Sequence, residues 1–242
     1  MTDYDKKAVR LIHTPRNQGI IAAMAFSAMV ALTAIPAGAT DYSEAQQLVE
    51  KARLTWERFA ASPVMSSELH DWLRGAKGVF ILPQIIRGAA VFGAAGGRGV
   101  FLARDAKTGE WSDPAFYSVQ TISFGLQIGG DVSEVIMIAW NTKGLESFYR
   151  NKFKLGIDTG VAAGPVGGSM AVGGLTADLF VYALAKGAFV GAAADGARIA
   201  VSDKYNKVYY RHVVRPTDIL VKRSVSNPDA QGLRAAVSKG MR

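Results

Sequence analysis

The 242-residue chain has no cysteine and only three histidines, His13, His70 and His212. The first absence excludes disulfides, thiolate metal ligands and a cysteine nucleophile; the second leaves too few imidazoles for a histidine-built metal centre. A zinc-protease H-E-x-x-H, a calcium loop of alternating Asp and Asn, and a P-loop ending in Gly-Lys-Ser/Thr are all missing. So is any apolar run of the ~20 residues that a bilayer-spanning helix needs. The longest such run, Ile20 to Ile35, is 16 residues. Proline is scarce as well, and Pro36, Pro63, Pro114 and Pro216 fall between the elements proposed below rather than inside them.

The apolar run follows Lys6, Lys7, Arg10 and Arg16 and leads into Ala37-Gly38-Ala39, a small-x-small triplet. That order predicts a secretory signal over residues 1–39, cleaved to leave a mature domain over 40–242 in the periplasm, the cell envelope or the extracellular space. An uncleaved anchor is the alternative. The mature part is long enough for one well-buried core, contains no linker, and must be stabilised by packing and hydrogen bonds alone.

Glycine is what the chain has in excess. Of 26 glycines, 22 lie between Gly75 and Gly196, among Val, Ile, Leu, Phe and Ala. Glycine weakens helices and appears in strands where they bulge or where backbones approach closely, so this block reads as tightly turned, twisted β structure. Before it, Ser43 to Ala61 carries apolar residues at Ala45, Leu48, Val49, Ala52, Trp56, Phe59 and Ala60. This is a helical stripe that Ser43 and Gln46 would open as a capping box and Pro63 would stop. Ser67 to Arg74 fits a second helix closed by a left-handed Gly75. Strands are expected at Val79–Leu82, Gly99–Arg104, Phe116–Ile128 and Val135–Trp140, then at Leu179–Leu184 and Ala188–Val201 across a tight Lys186-Gly187 turn. A short helix through Leu145, Phe148 and Tyr149 would be capped by Asn141 or Thr142. The fold class is α+β: one domain with a Gly-rich, mainly antiparallel, twisted and barrel-like sheet and an N-terminal amphipathic helix.

Charge is unevenly placed. Residues 40–202 hold fifteen basic and fifteen acidic side chains; residues 203–242 hold nine basic against three acidic. A concentrated excess of this kind attracts anionic surfaces, or else only solvates a tail.

Catalytic constellations are thin. Gly167-Gly168-Ser169-Met170-Ala171 lacks the final glycine of a nucleophile elbow, and Ser169 would need the distant His212 as base. His70 and Asp71 are helical neighbours that face apart. Gly93 to Gly99 leads into a strand, not a helix, so it is not a phosphate loop; its amides could still cradle an anion beside Arg98. The aromatics default to core. Trp56 and Phe59, flanked by Lys51, Arg53 and Arg58, either pack on the sheet or sit in a membrane interface.

Five ordered segments carry a resemblance: Ala76-Lys77-Gly78-Val79-Phe80-Ile81, Gly96 to Val100, Trp111-Ser112-Asp113-Pro114, Phe124-Gly125-Leu126-Gln127-Ile128-Gly129-Gly130, and Tyr182 to Gly196 with Gly164-Pro165-Val166-Gly167 before it. Together they resemble the SYLF domain family, lipid-binding modules related to yeast actin-patch regulators, over roughly Val49 to Ile199. The resemblance implies non-catalytic binding of phosphoinositides or other anionic phospholipids, with actin as a partner of some eukaryotic members. The export signal and the lack of an SH3 module make actin an improbable partner here, and the absence of nucleic acid, cofactor and metal partners is expected. The family's lipid contact is an amphipathic N-terminal helix, which places Lys51, Arg53, Trp56, Arg58 and Phe59 in that role, with Lys222 and Arg223 added from the basic segment. Trp56 and Phe59 would insert while the cations hold headgroups. Truncation after Val221 would then weaken binding and leave folding intact. The alternative is a structural protein that docks a protein or polyanion partner without lipid.

Overall fold

The computed structural model describes residues 37–65, 67–87, 95–121, 134–165, 177–185, 187–191 and 196–241. The apolar run at 20–35, the Phe124–Gly130 motif, Phe92 and Ser169 lie outside the described residues, as does the side chain of Trp72. Residues 37–241 begin with helix α1 (Ala37–Ala60) and α2 (Ser67–Leu73), followed by β1 (Gly78–Leu82), β2 (Ile86–Arg87), β3 (Ala95–Ala103), β4 (Ala115–Thr121) and β5 (Glu134–Ala139). Next come α3 (Thr142–Ser147), β6 (Lys152–Lys154), β7 (Val161–Ala163), β8 (Leu179–Ala185), β9 (Ala188–Gly191) and β10 (Arg198–Val201). Helices α4 (Asp203–Tyr210), α5 (Pro216–Leu220) and α6 (Gln231–Gly240) complete the chain.

The strands form one sheet in the order β6-β10-β4-β3-β1-β5-β8-β7, with β2 beside β3 and β9 beside β8. Every pairing is antiparallel except β7 with β8. The two outer strands of this order, β6 and β7, are consecutive in the chain. A flat eight-strand sheet would hold them ~34 Å apart at ~4.8 Å per strand. The six residues between them reach at most ~25 Å, and Leu155 and Thr159 are already bridged. The sheet therefore curls toward a barrel, which fulfils the α+β, mainly antiparallel expectation.

Register sorts the side chains between the two faces. Phe80 lies opposite Phe101 and Met137, and Tyr117 opposite Gly99. On this face Phe148, at the end of α3, is the hub: it stacks on Phe101 at 3.8 Å and meets Phe80, Tyr117 and Phe153 at 5.0–5.5 Å. Tyr117 donates its hydroxyl hydrogen to the Phe148 carbonyl oxygen within this apolar cluster. Two glycines make the packing possible. A Cβ on Gly99 would lie 2.5 Å from the Phe80 ring, and one on Gly78 would collide with the Phe101 ring. Each Gly-Val-Phe segment thus lays its phenylalanine over the glycine of the other strand.

The opposite face is covered by helices. Phe59 of α1 meets Tyr182 at 5.0 Å and Phe189 at 5.2 Å, while Phe116 lies against Tyr205 and Tyr209 of α4. At the centre of the sheet both faces are covered, and β1 and β5 are buried along their whole lengths.

Several expectations are corrected. Helix α1 begins at Ala37, so Ser43 sits inside it and accepts from Gln47 at 3.2 Å instead of opening a capping box. Tertiary contacts extend the helix: Asp41 pairs with Lys204 at 2.8 Å, and Tyr42 stacks on Tyr209. Gly75 does not take a positive φ. The proposed strand Ala188–Val201 is two strands, because Gly196 turns the backbone at φ +80° and β10 pairs with β4 and β6 while β9 stays on β8. Asn141, not Thr142, caps α3, accepting the Gly144 N–H at 2.9 Å.

Candidate anion-binding surface

Helix α1 does not present Trp56 and Phe59 to a membrane. Both have no exposed surface. The Trp56 indole N–H donates to the Ala236 carbonyl of α6 at 3.0 Å, and Phe59 packs on Tyr182 and Phe189. The inserting pair is therefore overturned: burial of two large aromatics against the sheet and α6 outweighs exposure at an interface. On the outer side of α1 the exposed large apolar residue is Leu54.

The predicted cations on α1 fare differently from one another. Arg53 bonds Glu50 at 2.9 Å and Glu57 at 2.5 Å, three and four residues away, and its hydrogen bond holds the Glu50 carboxyl below the usual range. Arg58 pairs with Glu134 on β5. Burial pushes the Glu134 carboxyl up and the Arg58 charge pulls it back only in part, so the pair joins α1 to β5 without offsetting the cost of burying the acid. Lys51 has no acidic residue three or four positions away, and no carboxylate pairs with it among the described residues. It lines a groove of about 470 Å³ between α1, β3, β4 and α4, together with Arg98, Glu44, Tyr205 and the bare backbone of Gly96 and Gly97. Arg98 lies 4.7 Å over the Tyr205 ring. The Tyr205 hydroxyl donates to Glu44 at 2.6 Å. Burial and this hydrogen bond both push the Tyr205 hydroxyl up, so the tyrosine stays neutral and engages the acid while two cations face the opening.

Half of the described basic side chains of the C-terminal segment are held in ion pairs, while Lys207, Arg211, Arg215 and Lys239 are exposed without a carboxylate partner among the described residues. Lys222 pairs with Asp218 and Lys204 with Asp41, each at 2.8 Å. Arg223, held at φ +51°, donates to the Glu110 carbonyl at 2.9 Å and approaches the carboxylates of Asp105 and Glu110. Arg234 meets the buried Asp113 at 2.8 Å, and Asp113 also accepts the Asn227 N–H at 2.8 Å. The Trp111-Ser112-Asp113-Pro114 motif is thus the anchor on which this segment docks; Tyr210 donates to the Pro114 carbonyl at 2.8 Å. Leu233, Val237 and Met241 enter the core. The expectation that truncation after Val221 spares the fold does not fit this packing, since the cut removes these core residues together with the Ala236 carbonyl that accepts from Trp56. Lys222 and Arg223 are each already ion-paired.

Sequence reasoning set Arg98 beside an anion-cradling Gly-rich turn but did not join it to the α1 cations. The usable signal was helix spacing: Arg53 has acids at i−3 and i+4 and Lys222 has one at i−4, whereas Lys51 has none. His212 is exposed, and no group of three or more His, Cys, Asp or Glu side chains among the described residues could hold a metal. No helix among the described residues is long and apolar enough to cross a membrane.

A family model described as "Ysc84: Las17-binding protein actin regulator" matches residues 120–240, which takes in the basic segment as part of the domain. Human SH3 domain-containing YSC84-like protein 1 is 31% identical over 150 residues, covering 60% of this chain and 43% of that protein. An SH3 domain-containing protein of Schizosaccharomyces pombe is 30% identical over 166 residues, covering 66% of this chain and 37% of its own length. The Xenopus laevis YSC84-like protein is 28% identical over 140 residues, 56% of this chain and 41% of that protein. The chain thus spans about two fifths of the length of these curated relatives.

Proposed function

The chain belongs to the Ysc84 family, and from that premise we propose that it is a non-catalytic module that binds an anionic phospholipid surface, phosphoinositide-like in its headgroup charge. The observation that carries this reading is the convergence of Lys51 and Arg98, two cations without carboxylate partners, on one groove beside α1. Most neighbouring basic side chains are neutralised in ion pairs. Binding is peripheral. With Trp56 and Phe59 in the core, attraction rests on cations worth ~1 kcal/mol each near an anionic leaflet, weakened by salt, and on Leu54 at the rim. Arg53, Arg58, Lys222 and Arg223 contribute only by exchanging a carboxylate for a headgroup. The basic-then-apolar leader at 1–39 would deliver the domain to an envelope surface. Co-sedimentation with neutral and anionic vesicles tests the reading: Lys51→Gln with Arg98→Gln should weaken binding to anionic vesicles and flatten its salt dependence. Equal binding to neutral vesicles would overturn it.

A second reading, docking of a protein partner without lipid, is favoured by the family description, which names Las17 and actin. It predicts co-sedimentation with actin filaments, or recovery of a partner, that survives removal of lipid and is indifferent to the Lys51 and Arg98 substitutions.

A further inference from the structure

In the Ala76-Lys77-Gly78 motif, packing accounts for two of the three residues: Ala76 is buried and Gly78 lies under the Phe101 ring. The Lys77 side chain has no hydrogen-bond or ion-pair partner among the described residues, although its backbone is pinned on both sides. Its N–H donates to the Ala139 carbonyl at 2.8 Å, and its carbonyl accepts the Arg104 N–H at 2.8 Å. Lys77 lines a cleft of about 630 Å³ where the start of β1, the end of β3 and the β3–β4 hairpin meet, with Arg74, Arg104, Lys107 and Asp105. That volume falls in the ~300–1,000 Å³ range of small-ligand clefts.

The walls are preorganised. The Arg104 guanidinium donates to the carbonyl oxygens of Arg74 and Gly109. The hairpin is closed by Asp105 N–H to Glu110 O at 2.8 Å and turned by Gly109 at φ +74°. Asp105, the one carboxylate lining the cleft, is already engaged: the Lys107 and Thr108 N–H groups donate to it at 2.7 and 2.8 Å, and Arg223 stands behind it at 3.9 Å. Arg74 has only an exposed contact with Asp71, at 3.5 Å. Four basic residues from three segments therefore line one cavity whose single lining acid is engaged by other groups.

We propose that this cleft binds a dianionic phosphate monoester, carried by a lipid headgroup or by a soluble phosphate, in preference to a singly charged phosphodiester. A diester offers one negative charge, whereas a monoester carries about −1.5 to −2 with three acceptor oxygens, and guanidinium forks and ammonium groups match that charge and geometry. The proposal deepens the anionic-lipid reading where the monoester is a headgroup, but the cleft is separate from the Lys51 and Arg98 groove.

The test uses the full chain. Calorimetric titration with inorganic pyrophosphate at low ionic strength is run beside co-sedimentation with phosphatidylcholine vesicles doped with phosphatidic acid or with phosphatidylglycerol. Lys77→Gln with Lys107→Gln should raise the pyrophosphate dissociation constant roughly thirtyfold, as expected for two cations lost beside an anion. The same pair should remove the preference for phosphatidic acid, while Lys51→Gln with Arg98→Gln leaves pyrophosphate binding unchanged. Lys107→Glu, at an exposed loop position, is the second variant should the half-buried Lys77 change lower the melting temperature. Pyrophosphate binding that is absent, or unaltered by the Lys77, Lys107 and Lys107→Glu variants, overturns the site, and vesicle binding that needs only Lys51 and Arg98 then leaves the membrane reading standing. Pyrophosphate binding lost in these variants, without vesicle binding by the unmodified protein, upholds the site for a soluble phosphate and overturns the membrane reading.

Discussion

Trp56→Ala separates a helix that inserts into lipid from one that seals a core. Trp56 is fully buried, stands 5.6 Å from Phe59 and donates to Ala236 at 3.0 Å. Truncating a buried tryptophan costs ~3–5 kcal/mol in transfer and cavity terms, a large share of the ~5–15 kcal/mol that holds a domain together. With a urea dependence of ~2 kcal/mol per molar, the unfolding midpoint should fall by ~1.5–2.5 M. The melting temperature should fall by ~6–20 °C at ~2–4 °C per kcal/mol for a domain of this size. Far-UV circular dichroism is the readout, because it does not depend on the indole removed. Trp56→Phe keeps most of the apolar volume and loses the donor, so its cost should be ~1–2 kcal/mol. The reasoning is refuted if Trp56→Ala leaves the urea midpoint within ~0.3 M of the parent while abolishing vesicle binding. That pattern belongs to an exposed, inserting side chain.

Removing residues 222–242 strips Leu233, Val237 and Met241 from the core, Arg234 from Asp113 and the Ala236 carbonyl from Trp56; the shortened chain should lose its cooperative thermal transition, and a melt within ~5 °C of the full chain would contradict this. Gly99→Ala forces a methyl to within 2.5 Å of the Phe80 ring and 2.6 Å of the Ile81 carbonyl, so overpacking should cost ~1–3 kcal/mol in chemical denaturation. For Glu134 the folded carboxyl is raised by burial, with Arg58 opposing. Its ionised form therefore weakens the fold above the folded pKa, and this penalty disappears as pH falls below the ordinary carboxylate range. Glu134→Gln should be at least as stable as the parent at pH 7 and lose that advantage near pH 4; an advantage that grows on acidification would show that the sign is wrong. Asp178 behaves oppositely: burial pushes it up, but Lys143, Asn141 and the Gly160 N–H together hold it below the usual range. Its stabilisation is present above the unfolded carboxylate pKa and lost as pH falls through the folded one, so Asp178→Asn should flatten the acid limb of the stability curve.

The amphipathic period of Leu48 to Ala60, the β-branched and aromatic runs at Val79–Leu82 and Val135–Ala139, and the clustering of glycine were enough to place one α+β domain with an antiparallel sheet. Those patterns reflect local sterics and burial, which act over a few residues. Ion-pair spacing along α1, acids at i−3 and i+4 of Arg53 and none so placed about Lys51, is also present in the sequence. Strand order, by contrast, depends on contacts across the chain. Nothing near β10 indicates that it leaves β9 to join β4 and β6, or that Lys152–Lys154 and Val161–Ala163 are the two outer strands of the curled sheet. Phe148 looks like any helical phenylalanine, yet four aromatic rings from four strands converge on it. The excess of positive charge after residue 203 is a fact of composition; whether it is free depends on where Asp41, Asp105, Glu110 and Asp113 lie in space. Tertiary packing brings those acids to meet Lys204, Arg223 and Arg234, and it leaves Lys51, Arg98, Lys77 and Lys107 among the cations without a carboxylate partner in the described residues.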